Sequence, residues 1–309
     1  MDAVQRMILS LKGLSVGDAF GETFFNAPAA LEVRFEQRTP APPPWRYTDD
    51  TLMALSIVAL LMRDGRIDPD ALAADFVARF DPTRNYGAGA VRLLIRLRDG
   101  ADWRVEAPAM FNGAGSYGNG AAMRVAPLGA YFADDLDAVR ENAVLSAQPT
   151  HAHPEGEAGA VAVAVAVALA WQVGEERSAS PEEYLKAVAA HTPDSAVRTG
   201  VLRAAAESFD VETIPTRRGF PLDVRPARVA ALLGAGAQES AQDTVPFALW
   251  CAARHADDYQ EALWATAGGG GDVDTTCAIV GGIVACSARR WGVPPEWSAA
   301  REPLPLGFE

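Results

Sequence analysis

An all-α fold is predicted by three observations. Segments rich in Ala, Leu and Arg recur at residues 51–64, 69–80, 87–97, 136–146, 181–191, 225–233 and 245–254, and these residue types lose little freedom on entering a helix. Gly, Pro and Asp-Pro punctuation bounds them, as at Gly65, Asp68-Pro69, Asp81-Pro82 and Thr192-Pro193-Asp194. Alternating runs closed by hairpin turns, the signature of strands, are missing.

Taken in chain order, the first feature is a glycine stripe. Gly13, Gly17 and Gly21 recur at spacing four, so on a helix they line one face and let another backbone approach closely. Residues 37–45 hold four prolines and cannot be helical; they form a stiff, extended loop that leads into the 51–64 helix. Residues 113–120 and 208–222 are two further irregular stretches. In the run 160–170, Val161, Val163, Val165 and Val167 alternate with Ala. Every residue there is apolar, so the alternation separates no inside from an outside. A helix buried on all sides is the preferred reading over a strand. No repeat of fixed period and no shift in composition divides the chain, which predicts a single domain over 1–309.

Composition narrows the function. A hydrophobic share of 49% over 309 residues allows a sizeable core. The net charge of −13 argues against an extended nucleic-acid groove or an anionic membrane surface as the main partner. It leaves an anionic small ligand open, because bound cations invert a local field. The apolar run 160–171 is shorter than a bilayer requires, so no membrane role is expected. Cys251, Cys277 and Cys286 are an odd, sparse set without CxxC spacing, which reads as buried free thiols. The N-terminus lacks the basic stretch of a secretory signal. A cytoplasmic monomer is the resulting expectation.

The chemistry concentrates in two aspartate clusters, Tyr47-Thr48-Asp49-Asp50-Thr51 and Gly271-Asp272-Val273-Asp274-Thr275-Thr276. Each opens a helical pattern, and together they offer oxygen ligands only. That suits a hard divalent cation, Mg²⁺ or Mn²⁺ before Zn²⁺. Each cluster alone also reads as an acidic helix start that caps the chain and favours the dipole. Recurrence of the pattern and the run Gly268-Gly269-Gly270-Gly271 weigh toward a ligand site, since four glycines carry an entropic cost. The segment Asn112-Gly113-Ala114-Gly115-Ser116-Tyr117-Gly118-Asn119-Gly120 is rich in residues that adopt φ > 0 and could form an anion nest, with the Tyr117 ring for stacking; a plain surface loop is the alternative. His151 and His153 have no third partner nearby for a metal, so capping or ligand contact is their expected role. His191 and His255 read as structural.

These motifs, in this order, resemble the ADP-ribosylglycohydrolase family. The resemblance runs from Gly13-Leu14-Ser15-Val16-Gly17-Asp18-Ala19-Phe20-Gly21 through the Thr-Asp-Asp-Thr cluster, the Gly-Ser-Tyr-Gly-Asn-Gly-Ala-Ala-Met-Arg segment and Thr150-His151 to Gly-Gly-Asp-Val-Asp-Thr-Thr. It implies a single orthogonal all-α domain with a binuclear Mg²⁺ or Mn²⁺ centre in a cleft. The metal ligands it implies are Thr48, Asp49, Asp50, Asp272, Asp274 and Thr275. Gly115, Ser116, Tyr117, Gly118, Asn119 and Gly120 would wrap the ADP-ribose, with His151 near the distal ribose; Met123 and Arg124 would support that loop. The implied reaction cleaves the bond at the distal ribose C1″ of an ADP-ribosylated side chain or related acceptor. A glutamate that several relatives carry four residues after the position of Gly21 is here Phe25. Glu22 is the carboxylate available in its place, so the proton is assigned to Glu22 or to a metal-bound Asp49 or Asp272. If that assignment fails, the chain reads as an ADP-ribose-binding module that does not turn over. A purely structural domain with capping aspartates is the third reading. The loop 38–45 is the expected lid of the cleft.

Overall fold

The computed structural model describes residues 1–25, 31–173, 179–215, 221–288 and 292–308. Residues 216–220 of the expected irregular stretch lie outside them. The chain is built from α1 (Ala3–Glu22), α2 (Leu31–Gln37), α3 (Asp49–Asp64), α4 (Pro69–Arg79), α5 (Ala88–Arg98) and α6 (Trp103–Gly113). Then come α7 (Gly120–Met123), α8 (Ala126–Tyr131), α9 (Leu136–Ala147), α10 (Pro154–Val173), α11 (Pro181–His191) and α12 (Ala196–Ala206). A short hairpin, β1 (Thr213–Pro215) and β2 (Pro221–Asp223), precedes α13 (Arg225–Leu233), α14 (Ala241–Arg254), α15 (Tyr259–Ala267), α16 (Val273–Ser287) and α17 (Pro295–Ala300).

The packing of α1 on α16 organises the rest. Along the glycine stripe the two backbones touch. A Cβ added at Gly17 would sit 2.1 Å from the Cys277 carbonyl oxygen, and one at Gly13 would sit 2.2 Å from that of Gly281. At the end of the stripe, a Cβ at Gly21 would lie 2.5 Å from the Cα of Asp274. No side chain fits in these gaps, so the spacing-four pattern is a packing device, as expected. Its consequence is positional: Asp18, between Gly17 and Gly21, is brought to the first turn of α16.

The Ala/Val run is helical. Residues 160–168 of α10 are all buried, with α8, α9, α14 and α16 among the helices around them. An all-apolar surface therefore finds apolar neighbours on every side. The helix extends beyond the predicted run at its N-terminal end, through Pro154, Glu155, Gly156 and Glu157. It is thereby long and apolar enough to cross a bilayer by composition alone, which corrects the expectation that it is too short. Its burial within the helical core accounts for its apolar character here.

Two expectations change. The stretch 208–222 contains the β1–β2 pairing, with Thr213 opposite Asp223 and Ile214 opposite Leu222. Strands of three residues flanked by proline are too short to display alternation. The loop 38–45 is no lid: none of its residues lines the cleft described below. Trp45 is buried, donates its backbone N–H to Ala300 at 2.7 Å and accepts from the Glu302 amide at 2.9 Å. The proline-rich segment is thus a strap laid along the C-terminal residues. α2 and α6 had no clear signal in the sequence; α6 holds Pro108 and bends at Met110–Asn112. Cys251, Cys277 and Cys286 are free and buried, as expected.

Candidate metal centre

The first aspartate cluster begins α3. Thr48 is its N-cap, accepting from the Asp50 amide. Asp49 is held from outside, its N–H bonding the Arg84 carbonyl at 2.8 Å. Arg84 in turn donates to the Tyr47 carbonyl and pairs with Glu302. The second cluster begins α16. Asp272 occupies the N-cap position but makes no capping bond; its Oδ2 accepts from Asn119 Nδ2 at 2.7 Å. The capping alternative therefore holds for Thr48 and fails for Asp272. Gly271 adopts φ 74°, and a Cβ there would sit 2.2 Å from the Ala235 carbonyl oxygen, so glycine is required where the chain turns into the site.

The two helix starts meet. Asp49, Asp50, Asp272, Asp274 and Thr275 line one cleft of about 300 Å³. A fifth carboxylate, Asp18, stands behind them, fully buried. Side-chain oxygens of Asp18, Asp50 and Asp274 lie within 4.8 Å of one another.

Their hydrogen bonds separate the roles of these three. Asp18 accepts from the backbone N–H and the hydroxyl of both Thr48 and Thr51, with Thr48 Oγ1 at 2.9 Å and Thr51 Oγ1 at 2.5 Å. Its lone pairs are used, and it acts as the bracket that fixes α3 on α1. Asp50 Oδ1 and Asp274 Oδ1 are buried without a hydrogen-bond partner. Thr48 Oγ1 lies 2.9 Å from Asp18 and 3.0 Å from Asp50, yet a hydroxyl has one proton to give. Buried carboxylate oxygens crowded without donors call for a proton or a cation. The donor set is oxygen only, so a hard divalent cation fits. Asp50 and Asp274 would hold it first.

Electrostatics agree. Burial, reinforced by the Asp18 charge, raises Asp49 to about 8. Burial raises Asp18 to about 6 against the pull of its hydrogen bonds. Asp50 and Asp274 are raised as well, by burial and by neighbouring carboxylates. The sign of the pH effect follows. The folded, metal-free chain keeps protons that the unfolded chain releases near pH 4, so its stability falls as pH rises from 4 toward 8. We predict that EDTA-treated protein loses about 5 °C or more of Tm between pH 5 and pH 8. Added Mg²⁺ or Mn²⁺ should restore most of that loss, and more at pH 8 than at pH 5. A Tm that rises over that range in EDTA would contradict the assignment.

The 115–120 loop forms the opposite wall. It is pinned by Ala241 N–H to Tyr117 O at 2.9 Å and Asn119 N–H to Glu239 O at 3.0 Å. Ser116 Oγ accepts from Gly118 N–H at 3.2 Å. These bonds use the Gly118 and Asn119 amides; the Gly115 amide bonds Met110 O. The nest expected from the sequence is therefore narrower: among the described residues, none accepts from the Ser116 and Tyr117 amides. Ser116, Tyr117, Gly118, Asn119, Gly120 and His151 all line the cleft, and Gly115 backs the loop against His153. Burial pushes His151 down to about 3, so it is a neutral imidazole.

Of the predicted site, the structure gathers both aspartate clusters, the loop and His151 around one cavity, with Thr48 behind. Glu22 is placed differently. It ends α1, one turn beyond Asp18, and its Oε1 accepts from Asn85 Nδ2 at 3.0 Å. Asn85 lines the cleft and Glu22 does not. Phe25 is in the turn after α1, half exposed. Two residues escaped the sequence reading. Asp18 gave one signal: it is the only charged residue in the Gly-striped stretch 13–21. Phe111 gave none; its exposed ring lines the cleft 6.2 Å from Tyr117, on a backbone with φ 50°. Asn85 and Glu239, also in the cleft wall, share this uncommon positive φ.

Comparison with known proteins gives concordant matches. The ADP-ribosylglycohydrolase family model matches residues 1–305. ADP-ribosylhydrolase ARH3 of Homo sapiens is 35% identical over 277 residues, which is 83% of this chain and 74% of that protein. The Mus musculus protein of the same name is 33% identical over 284 residues, 85% of this chain and 74% of its own. The uncharacterised protein YegU of Escherichia coli K12 is 32% identical over 249 residues, 77% of this chain and 70% of its own. Among solved structures, a chain of an ADP-ribosylglycohydrolase-related protein complex superposes with a TM-score of 0.62. It is 21% identical and covers 97% of this chain and 93% of that one; this likeness bears on the fold.

Proposed function

This chain belongs to the ADP-ribosylglycohydrolase family, and from that premise we propose that it is a Mg²⁺- or Mn²⁺-dependent ADP-ribosyl hydrolase acting on ADP-ribosylated protein side chains or related acceptors. The observation that carries the reading is the convergence of partnerless buried carboxylate oxygens with an aromatic, amide-bearing loop in one cleft. In this reading Asp50 and Asp274 hold the cations, with Thr48, Asp49, Asp272 and Thr275 completing the set. Bound cations would orient the ribose hydroxyls and lower the pKa of a water.

The remaining work falls to the chain itself. Tyr117 and Phe111 offer ring faces at the cleft mouth, where an adenine can stack. The Ser116 and Tyr117 amides are free to meet a phosphate. His151, neutral, presents a hydrogen bond to a sugar or phosphate oxygen. The bond broken is that between ribose C1″ and the acceptor N or O, with positive charge growing on the ring. The carboxylate cluster faces that charge and stabilises it. Asp49, raised to about 8 without metal, or Asp272 can take the proton from the attacking water. The leaving group must receive one, and Glu22 could reach it only if the 22–25 turn swings inward. The reading takes the chain as a cytoplasmic monomer; three buried free thiols suit a reducing compartment.

The position of Glu22 supports a second reading, an ADP-ribose-binding module without turnover. One experiment separates the two. ADP-ribose release is measured from arginine-, serine- and O-acetyl-linked substrates with Mg²⁺, Mn²⁺ or EDTA. Release that needs the metal and favours one linkage supports the hydrolase and names its acceptor. Tight ADP-ribose binding with no release from any linkage supports the module instead. Within the hydrolase reading, Glu22→Gln is expected to lower kcat at least about tenfold if that carboxylate donates the proton. An unchanged kcat would leave the task to Asp49 or Asp272.

A further inference from the structure

Arg124 is the most conspicuous charge outside the carboxylate cluster. It is fully buried, and among the described residues no carboxylate lies within ion-pair distance of it. Its guanidinium lies over the Phe76 ring at 4.4 Å. Nη2 donates to the Ser146 carbonyl at 2.9 Å and to Thr150 Oγ1 at 2.8 Å. Asp49 attracts it from beyond ion-pair distance, but a buried cation held in no ion pair is still costly, so its retention asks for a further reason. The reason lies one bond further on: Thr150 Oγ1 is 2.7 Å from His151 Nδ1.

Proton accounting fixes the direction of that last bond. A guanidinium can only donate, so Thr150 Oγ1 accepts from Arg124 and has its own hydrogen to place. One candidate acceptor is the Ala147 carbonyl, at 3.4 Å. That oxygen already accepts the Thr150 and His151 amides, at 3.0 and 2.8 Å, and a third donor at this distance is weak. The other candidate is His151 Nδ1, at a length normal for a hydroxyl donor. The Arg124 bond also polarises the hydroxyl and makes it a better donor. Nδ1 therefore accepts, and the ring proton sits on Nε2. The Nε2 edge faces the loop: a Cβ at Gly120 would be 3.1 Å from Nε2 and one at Gly118 would be 3.3 Å from it. The ring lines the cleft.

We infer that Arg124, acting through Thr150, is a positioning residue that holds His151 as a neutral Nε2–H donor aimed at an oxygen of the bound ligand. Burial and the Arg124 charge, which push His151 down to about 3, keep the imidazole neutral and thus able to hold this one tautomer. The identity of the ligand, a ribose hydroxyl or phosphate oxygen of ADP-ribose, rests on the function proposed above. The tautomer does not.

The test uses the full chain with ¹⁵N-labelled histidine. There are four histidines, and His151→Gln assigns the resonance. In ligand-free wild-type protein, His151 is expected to show a protonated Nε2 and an unprotonated Nδ1. Thr150→Ser keeps the hydroxyl and should keep this pattern; Thr150→Val and Arg124→Met should shift it toward the other tautomer. By titration calorimetry in Mg²⁺, ADP-ribose affinity should fall about tenfold in Thr150→Val and stay within about threefold of wild type in Thr150→Ser. Should Arg124→Met fail to fold, Thr150→Val still decides. A protonated Nδ1 in the wild type overturns the inference, as does a Thr150→Val protein with the wild-type tautomer. If wild-type protein binds no ADP-ribose, the proposed ligand fails while the spectra still decide the relay.

Discussion

Asp50→Asn is expected to abolish metal-dependent turnover, by about a thousandfold or more, while making the metal-free protein more stable at pH 8. The two effects have one cause. Asp50 is buried and crowded by Asp18 and Asp274, and its Oδ1 has no partner. Ionising it without a cation is unfavourable, and a neutral amide of the same shape removes that repulsion. The same change deletes a charged ligand, so the metal loses its strongest hold. Thermal melts in EDTA and in Mg²⁺, at pH 8, read both effects at once. Wild-type protein should gain stability on adding metal, and Asp50→Asn should gain little from a higher starting point. If Asp50 served only the helix dipole of α3, the substitution would instead lower Tm by a small amount and leave any metal response intact.

Gly17→Val carries the second large effect. The Cβ alone would meet the Cys277 carbonyl oxygen at 2.1 Å. That contact is backbone against backbone, so no side chain can swing away. α1 and α16 would have to separate, and we expect a loss of about 3 kcal/mol or more, with Gly17→Ala milder but well above the effect of an exposed substitution. Chemical denaturation measures the loss. Because the same contact sets Asp18 beside Asp274, a folded Gly17→Ala protein should also bind metal more weakly. A loss below about 1 kcal/mol for Gly17→Val would mean that the helices are not packed this closely.

The parts of the molecule legible in the sequence are those where local chemistry and tertiary role coincide. The 51–64 helix shows its Thr48 cap, its acidic first turn and Gly65, which ends it in the left-handed conformation. The glycine stripe of α1 announces a close approach without naming its partner. The aspartate clusters were visible because two carboxylates beside threonines are an unusual density of oxygen ligands. Asp18 was harder: its role depends on Thr48 and Thr51, thirty residues away, and nothing local requires it. Phe111 sits at the kink of α6, where the bend and not the residue type aims the ring. The 38–45 strap misled because a proline-rich loop entering a metal cluster looks like a mobile cover. Its destination, Ala300 and Glu302, lies more than 250 residues on. Arg124, expected to support the 115–120 loop, donates instead to Ser146 and Thr150, partners that no local pattern announces.

The most direct measurement is anomalous diffraction from crystals grown with Mn²⁺ and ADP-ribose. Manganese peaks are expected against Asp50 and Asp274, with the ribose beside them, His151 Nε2 within hydrogen-bond distance of a ligand oxygen, and the adenine between Tyr117 and Phe111. Crystals that bind ADP-ribose elsewhere, or that leave these carboxylates without manganese at saturating concentration, would contradict the proposed site.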